Sequence, residues 1–455
     1  MIDDLFDINE RYNIMKKKIY LYESTDIPIK TLLIPQLNSN TISIGIFISA
    51  GSRQETEAYG IAHFLEHMTF KGTIKRTSEK LMIELDSIGA QYNAMTGHEF
   101  TLYYISGNPN DINILLDIIL DLYINPIYPE QDIYNEKNVI LEELRMNDDN
   151  NHKLLSKKIY ENIFKDIDET LARPIIGYKE YIDLFNKKNI INFRNNNYKD
   201  NCLLCISGYF NRKKIIKIIN NILNTTYHKK HISSKLYYDN IIYDNKLINL
   251  LDLNKNIKNY IHYDKNINQS IINFCFNCYN TYNKNNDIVD LICDILSNGF
   301  SSRLFNLLRN KLGVSYYNNS YSRIFSDYGL MFISVGVEHK TVVNTIKEIL
   351  NELKILRKYG ITNDELLKVK KQNETALLFN FKDSYEYLIY YGKNYLDKKP
   401  LYNISDMINN IEKINLDEIN TIITKLFNSR NIIIGTIGNI SESDQNNIIK
   451  LLEDF

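Results

Sequence analysis

An α+β fold of two homologous α/β sandwich domains is predicted, each a largely antiparallel sheet backed by helices on one side. Three observations predict it: the length of 455 residues, an element order that occurs twice, and a polar stretch between the two occurrences. A chain this long exceeds what one hydrophobic core supports, so two domains or a duplicated unit is the natural reading.

The first copy of the element order opens with TISIGIFISAG (41–51). Its alternation and β-branched residues read as a strand. Helical segments follow at 60–70 and 78–88. YNAMTGHEFTLYYISG (92–107) reads as a strand pair and NDINILLDIILDLYINP (110–126) as an amphipathic helix. The order then returns. QSIINFCFNCY (269–279) is a strand, DIVDLICDILS (287–297) and SSRLFNLLRNKLG (301–313) are helices, 314–336 is a strand pair and HKTVVNTIKEILNELKIL (339–356) a helix. Between the copies, TTYHKKHISSKLYYDNIIYDNK (225–246) is polar and basic and reads as a linker. The expected division is a first domain over 1–232, a linker over 233–249 and a second domain over 250–455.

Composition narrows the function. Hydrophobic residues make up 44% and charged residues 24%, as in ordinary globular proteins. A formal net charge of −1 gives no basic excess for nucleic acid or an anionic membrane. No apolar stretch approaches the ~18 residues that would span a bilayer. The N-terminal MIDDLFDINERYNIMKKK has neither a secretory apolar region nor an Arg-rich, acid-poor transit character. Five Cys in this length do not make a disulfide scaffold. The expectation is a chain that works in the cytoplasm or another reducing compartment, such as an organellar matrix.

The chemistry concentrates in GIAHFLEHMTF (60–70). It holds His63-Phe64-Leu65-Glu66-His67, the H-x-x-E-H order of inverzincins. On a helix, Ile61, Phe64, Leu65 and Met68 share an apolar face. His63 and His67 then stand one turn apart and project together, as two zinc ligands must. Glu66 lies beside them, where a carboxylate can take a proton from water that a metal has acidified. A solvated helix face can match five residues by chance, so a third ligand matters. In PEQDIYNEKNVILEELRM (129–146), Ile133, Glu136, Ile140, Glu143 and Leu144 fall on one stripe, while Glu142 points roughly 100° away. A carboxylate on an apolar face needs a cation or a metal. Glu143 is therefore the candidate third ligand, and Glu136 a second carboxylate near the same centre.

GSRQETEAYGIAHFLEHMTFKGT (51–73) resembles, almost throughout, the zinc segment of the pitrilysin/insulinase metallopeptidases, in the branch of the mitochondrial processing peptidase β-subunit and its bacterial relatives. VILEELRM (139–146) resembles the third-ligand segment of that family, at the expected distance from His67. The resemblance implies a zinc metalloendopeptidase: one Zn2+ per chain on His63, His67 and Glu143, with Glu66 as general base and Glu136 as an assisting glutamate that orients a ligand. YNAMTGHEFTLYY (92–104) is similar to the strand whose edge pairs with extended substrate. Asn93 and Ala94 are the expected main-chain contacts there. RPIIGYKEYI (173–182), CLLCISGYF (202–210) and SSRLFNLLRNKLGVSYY (301–317) match further landmarks. In the last, Arg309 and Tyr316 correspond to an Arg and a Tyr that reach substrate from the second domain. By resemblance the halves form a clamshell around a peptide or unfolded protein segment, and the chain works alone, as a homodimer or with an inactive homologue. Two features depart from the family. STDIPIK (24–30) replaces the Asn-Gly of the first hairpin, and the glycine-rich loop of the non-catalytic processing-peptidase subunit is missing.

No His lies between His262 and His339, so the second half has no copy of the site. Its expected contribution is Arg309, toward a peptide carbonyl or carboxylate, and Tyr316, toward a developing oxyanion. The alternatives are an inactive structural relative and a zinc-dependent module that holds peptides uncut. The complete set of His63, Glu66, His67 and Glu143 disfavours the first, and the general base disfavours the second. Cys202-x-x-Cys205 and Cys275-x-x-Cys278 lie in strand-like segments, where i and i+3 face opposite ways, so core packing is expected. His228 and His231 read as solvated linker residues, and His98, before a strand, as either a residue that approaches substrate or an ordinary surface residue.

Overall fold

The computed structural model describes residues 19–24, 27–198, 201–226 and 247–455. The expected linker, with His228 and His231, lies almost entirely outside the described residues, as do the N-terminal 18 residues. The chain forms two compact units. One comprises 1–145, 174–240 and 376–407; the other comprises 146–173, 241–375 and 408–455.

The first unit contains six strands: β1 (Tyr20–Ser24), β2 (Ile27–Pro35), β3 (Ile42–Ile48), β4 (Gln91–Thr96), β5 (Thr101–Gly107) and β6 (Cys202–Gly208). They lie in the order β1-β2-β6-β3-β5-β4. Only β2 and β6 run parallel; every other pair is antiparallel. The second unit has β7 (Tyr260–Tyr263), β8 (Ser270–Asn277), β9 (Ser315–Ile324), β10 (Gly329–Val337) and β11 (Ile432–Ile437), in the order β7-β11-β8-β10-β9. Here β7 and β11 are the parallel pair. Without β1, the two sheets have the same topology. The repeated order read from the sequence is thus a repeated fold, two mostly antiparallel sheets with helices.

Both faces of each sheet are covered. In the first unit Ile42, Ile44, Ile46 and Ile48 of β3 enter a core shared with Phe64, Leu65 and Met68 and with the Ile112–Ile124 helix. The alternate β3 residues are small or flat and face the Ser384–Leu396 helix. Ser43 Oγ lies 2.8 Å from Ser384 Oγ, and a Cβ on Gly392 would meet the Phe47 ring at 2.2 Å. In the second unit Ile272, Phe274 and Phe276 of β8 enter the main core. Ile271 and Cys275 pack instead in a separate cluster with Leu155, Ile159 and Ile163 of the Asn151–Phe164 helix. The second-face helix of each unit therefore comes from the stretch of chain that otherwise builds the other unit. The sequence reading placed helices on one side of each sheet; this second cover is an addition to it.

A charged cluster fixes the loop that follows the Ile61–Thr69 helix. Arg76 donates to Glu84 at 2.7 Å, to Asp121 at 3.0 Å and to Asp117 at 2.5 Å. Thr73 Oγ1 donates to the same Asp121 carboxylate at 2.5 Å. Burial works against ionisation of Asp117. Hydrogen bonds and charge from Arg76 and Lys75 outweigh it and hold its pKa below the ordinary 3.8.

Two outcomes are expected. Gly392→Ala should destabilise the protein by about 1–3 kcal/mol, as overpacked cores do. The loss should shrink in a Phe47→Leu background, as read from urea midpoints of both backgrounds. Equal losses in the two would mean that helix and strand do not meet there. For Asp117 the folded pKa is depressed, so its stabilisation is complete above the ordinary carboxylate pKa and disappears as pH falls through the folded value. Urea midpoints taken from pH 7 downward should decline in acid, and Asp117→Asn should be weaker at pH 7 with a shallower acid decline.

Candidate metal centre

The Ile61–Thr69 helix starts abruptly. Gly60 precedes it at φ +99°, in the left-handed region that favours glycine. The Glu55 carboxylate accepts the N–H groups of Gly60 and Ala62, each at 2.9 Å. A buried carboxylate at a helix N-terminus satisfies otherwise orphaned donors and suits the dipole. Gly177, also at positive φ, approaches so closely that a Cβ there would lie 2.2 Å from the Tyr59 carbonyl. This contact explains the glycine in RPIIGYKEYI. Ile61, Phe64, Leu65 and Met68 are buried, which turns His63, Glu66 and His67 to the opposite side.

There the Glu130–Asp149 helix brings in its glutamates. Glu143 Oε2 lies 3.6 Å from His63 Nε2 and 3.7 Å from His67 Nε2. One atom from each of these three residues falls within 4.8 Å of the others, the only such group of metal-binding side chains among the described residues. Ligands about 2.0–2.1 Å from a tetrahedral zinc stand roughly 3.4 Å apart, so the spacing suits one ion with an open fourth position. The donor types suit it too. Burial first, and the His67 ring second, push the His63 pKa down to about 3, leaving a neutral imidazole. Glu142 points away and pairs with Arg145.

Glu136 is buried, and its Oε1 accepts from His67 Nδ1 at 2.8 Å. Its Oε2 lies 2.5 Å from Lys71 Nζ. Burial alone would raise the Glu136 pKa; hydrogen bonds from His67 and Lys71 outweigh it and hold the group below the usual carboxylate range. The Nδ1–H donation leaves His67 Nε2 with its lone pair toward Glu143. For His67 itself burial lowers the pKa, but Glu136, Glu66 and Glu143 overcome this and the net shift is upward. Glu66 accepts a 2.5 Å hydrogen bond from Thr96 Oγ1 at the end of β4. Burial raises the Glu66 pKa, against the Thr96 hydrogen bond.

Asn93 and Ala94 lie on β4, the edge strand of the first sheet. The Ala94 N–H donates to the Asn93 side-chain oxygen at 2.8 Å. Arg309 belongs to the second unit, in a π-helical turn over Asn306–Lys311 that interrupts the helix expected across 301–313, and its guanidinium lies 5.2 Å from the Phe305 ring centre. Tyr316 takes the extra position of a bulge in β9, between the pairs Gly336–Tyr317 and Val337–Ser315. Its side chain lies outside the described residues. All five cysteines are buried free thiols, and His98 Nδ1 meets Ser52 Oγ at 3.1 Å. No helix among the described residues is long and apolar enough to cross a membrane.

Sequence reasoning passed over Glu55, Lys71 and Thr96. Lys71 had a usable signal, since it stands one turn after His67 on the same helical face. Thr96 had none, because the strand register alone brings it to Glu66.

The family model for insulinase (peptidase family M16) matches residues 30–178, and that for the M16 inactive domain matches 185–373. A protein of Rickettsia felis named as an uncharacterized zinc protease is 29% identical over 430 residues, covering 93% of this chain and 96% of its own. Its namesake in Rickettsia bellii is 31% identical over 376 residues, covering 81% and 84%. The crystal structure of a Helicobacter pylori protease shares the fold, with a TM-score of 0.79 at 18% identity over 93% of this chain and all of that one. With a family model on each half and a relative this similar over most of both chains, the chain belongs to the insulinase family of peptidases, M16.

Proposed function

We propose that the chain is a zinc metalloendopeptidase that holds one Zn2+ on His63, His67 and Glu143 and hydrolyses peptide bonds in peptides or extended protein segments. The observation that carries this reading is the meeting of His63 Nε2, His67 Nε2 and Glu143 Oε2 beside the Glu66 carboxylate, which Thr96 orients. When bound, zinc supplies Lewis acidity, polarising a carbonyl and acidifying water. Glu66 takes the proton of the attacking water and delivers it to the departing amine nitrogen. A raised pKa suits a group that must both accept and return a proton. Glu136 orients His67 through Nδ1. Substrate adds as a strand along β4, where Asn93 and Ala94 offer main-chain groups. Ala94 must release its N–H from the Asn93 side chain as substrate arrives. From the second half, Arg309 holds a peptide carbonyl and Tyr316 donates to the oxyanion.

Metal analysis and peptide cleavage by the full chain test this. The wild type should hold one zinc and lose activity to a chelator. Glu143→Gln should lose most of its zinc. Glu66→Gln should keep zinc and lose turnover by a factor of about 10²–10⁴, the range for general acid–base groups. Rapid cleavage by zinc-loaded Glu66→Gln would sink the mechanism, and a wild type that holds zinc but cuts nothing would favour a peptide-holding role.

Thr96 gives a finer test. Thr96→Val should lower kcat about tenfold, equivalent to roughly 1.4 kcal/mol, and leave zinc content and KM near the wild type. Thr96→Ser, which keeps the hydroxyl, should recover most of the rate. A Val variant as fast as the wild type would remove Thr96 from the mechanism.

A further inference from the structure

We propose that Lys71 is a positioning residue for the metal centre, acting through Glu136 to hold the His67 ring with Nε2 toward the ion. The inference rests on the zinc reading above and adds a residue to it.

The geometry is a three-link chain. Lys71 Nζ sits 2.5 Å from Glu136 Oε2, and Glu136 Oε1 sits 2.8 Å from His67 Nδ1. Each carboxylate oxygen thus has its own partner. Glu136 is only 6% exposed at its side chain, so water is a poor substitute for either. The terminal torsion of a glutamate is broad, and one hydrogen bond leaves the carboxylate free to swing about it. Two partners on opposite oxygens fix its plane. With an ammonium on Oε2, Oε1 is left to accept, and the His67 nitrogen facing it must be the one that carries hydrogen. The other nitrogen, Nε2, then offers its lone pair 3.7 Å from Glu143 Oε2.

Local structure makes a flexible lysine suitable for this. The Lys71 N–H donates to the Met68 carbonyl at 3.2 Å, which carries the helical turn past Thr69. Lys71 therefore follows His67 by one turn, and both reach the same glutamate across the groove between helices. A cation also suits a helix C-terminus. Two residues on, Thr73 is anchored by its N–H to the Arg76 carbonyl at 2.8 Å and by its hydroxyl to Asp121. The backbone at Lys71 is held from both sides, which fixes where the side chain starts toward Glu136. Lys71 touches no metal ligand in any of these contacts; its effect passes through Glu136.

The test measures zinc affinity of the full chain, stripped of metal and titrated against a chromophoric chelator. Removing a group that orients a ligand costs about 10–100-fold in metal affinity. Lys71→Met keeps the length of the side chain without its charge and should weaken zinc binding about tenfold, at the low end of that range. Lys71→Arg keeps a cation within reach of Oε2 and should stay within about threefold of the wild type. The same Lys71→Met change in a Glu136→Gln background should alter affinity by less than about twofold, because the link to His67 is already broken. Wild-type affinity in Lys71→Met, or an equal loss in both backgrounds, would overturn the proposal. So would a zinc-free Lys71→Met protein that melts well below the zinc-free wild type, since the residue would then serve stability. A wild-type chain that binds no zinc would overturn the metal reading itself and this inference with it. Zinc-binding wild type with an indifferent Lys71 overturns this inference alone.

Discussion

The first unit depends on packing two helices so that acidic groups converge on a pair of imidazoles. The Ile61–Thr69 helix presents His63, Glu66 and His67, and the Glu130–Asp149 helix presents Glu136 and Glu143. Three carboxylates gathered in a half-buried groove would repel one another. Lys71 offsets one of them at Glu136. Glu66 and Glu143 have no such lysine partner among the described residues, and the cation proposed above would offset them. The rest of the unit holds this arrangement in place. Glu55 starts the first helix, the Arg76 cluster fixes its exit, and β4 brings Thr96 to Glu66.

Much of this was legible in the sequence because its signals are periodic. The 3.6-residue spacing of Ile61, Phe64, Leu65 and Met68 defined a helix face, and the two imidazoles followed on the opposite side. The same period distinguished Glu136 and Glu143 from Glu142, and the structure shows Glu142 turned to Arg145 instead. The strands read at 41–51 and 269–279 lie within three residues of β3 and β8 at each end. Thr96 is a single polar residue whose partner lies across space, so no local pattern marks it, whereas Lys71 is marked only by standing one turn after His67. The π turn at Asn306–Lys311 was hidden for a related reason, since its side chains keep a helical pattern while the hydrogen bonding changes.

The second-face helices show a deeper limit of sequence reading. Ser384–Leu396 carries five tyrosines and covers strands that precede it by more than 170 residues. Nothing in its own sequence says which sheet it covers. The clue lies instead in β3, where Ser43, Gly45 and Phe47 alternate with isoleucines. Small residues on the nominally outer face signal a close neighbour, and a Cβ on Gly45 would meet Leu388 at 3.0 Å. A solvent-facing strand would carry longer polar side chains there. A cut between the halves at residue 232 would therefore remove 376–407 from the first unit and leave 146–173 without the second.

The duplication also shows how little separates the proposed metal centre from ordinary packing. By element order, the Asn286–Ser297 helix of the second unit corresponds to Ile61–Thr69, β9 to β4, and Asn363–Asn380 to Glu130–Asp149. The links between these elements persist in kind. Ser322 on β9 donates to Asp290 at 2.7 Å, as Thr96 on β4 donates to Glu66. Asn373 donates to Asp294 at 2.6 Å, where the first unit joins its helices through His67 and Glu136. Burial raises the Asp294 pKa against that hydrogen bond, and no imidazole stands near it in the sequence of either helix. Each scaffold thus accommodates a helix-to-strand and a helix-to-helix polar link under its sheet. In the second unit those links end on an amide, Asn373, and a hydroxyl, Ser322. In the first the helix-to-helix link instead ends on the His67 imidazole, which stands beside His63, and the same scaffold is where the proposed cation would be held.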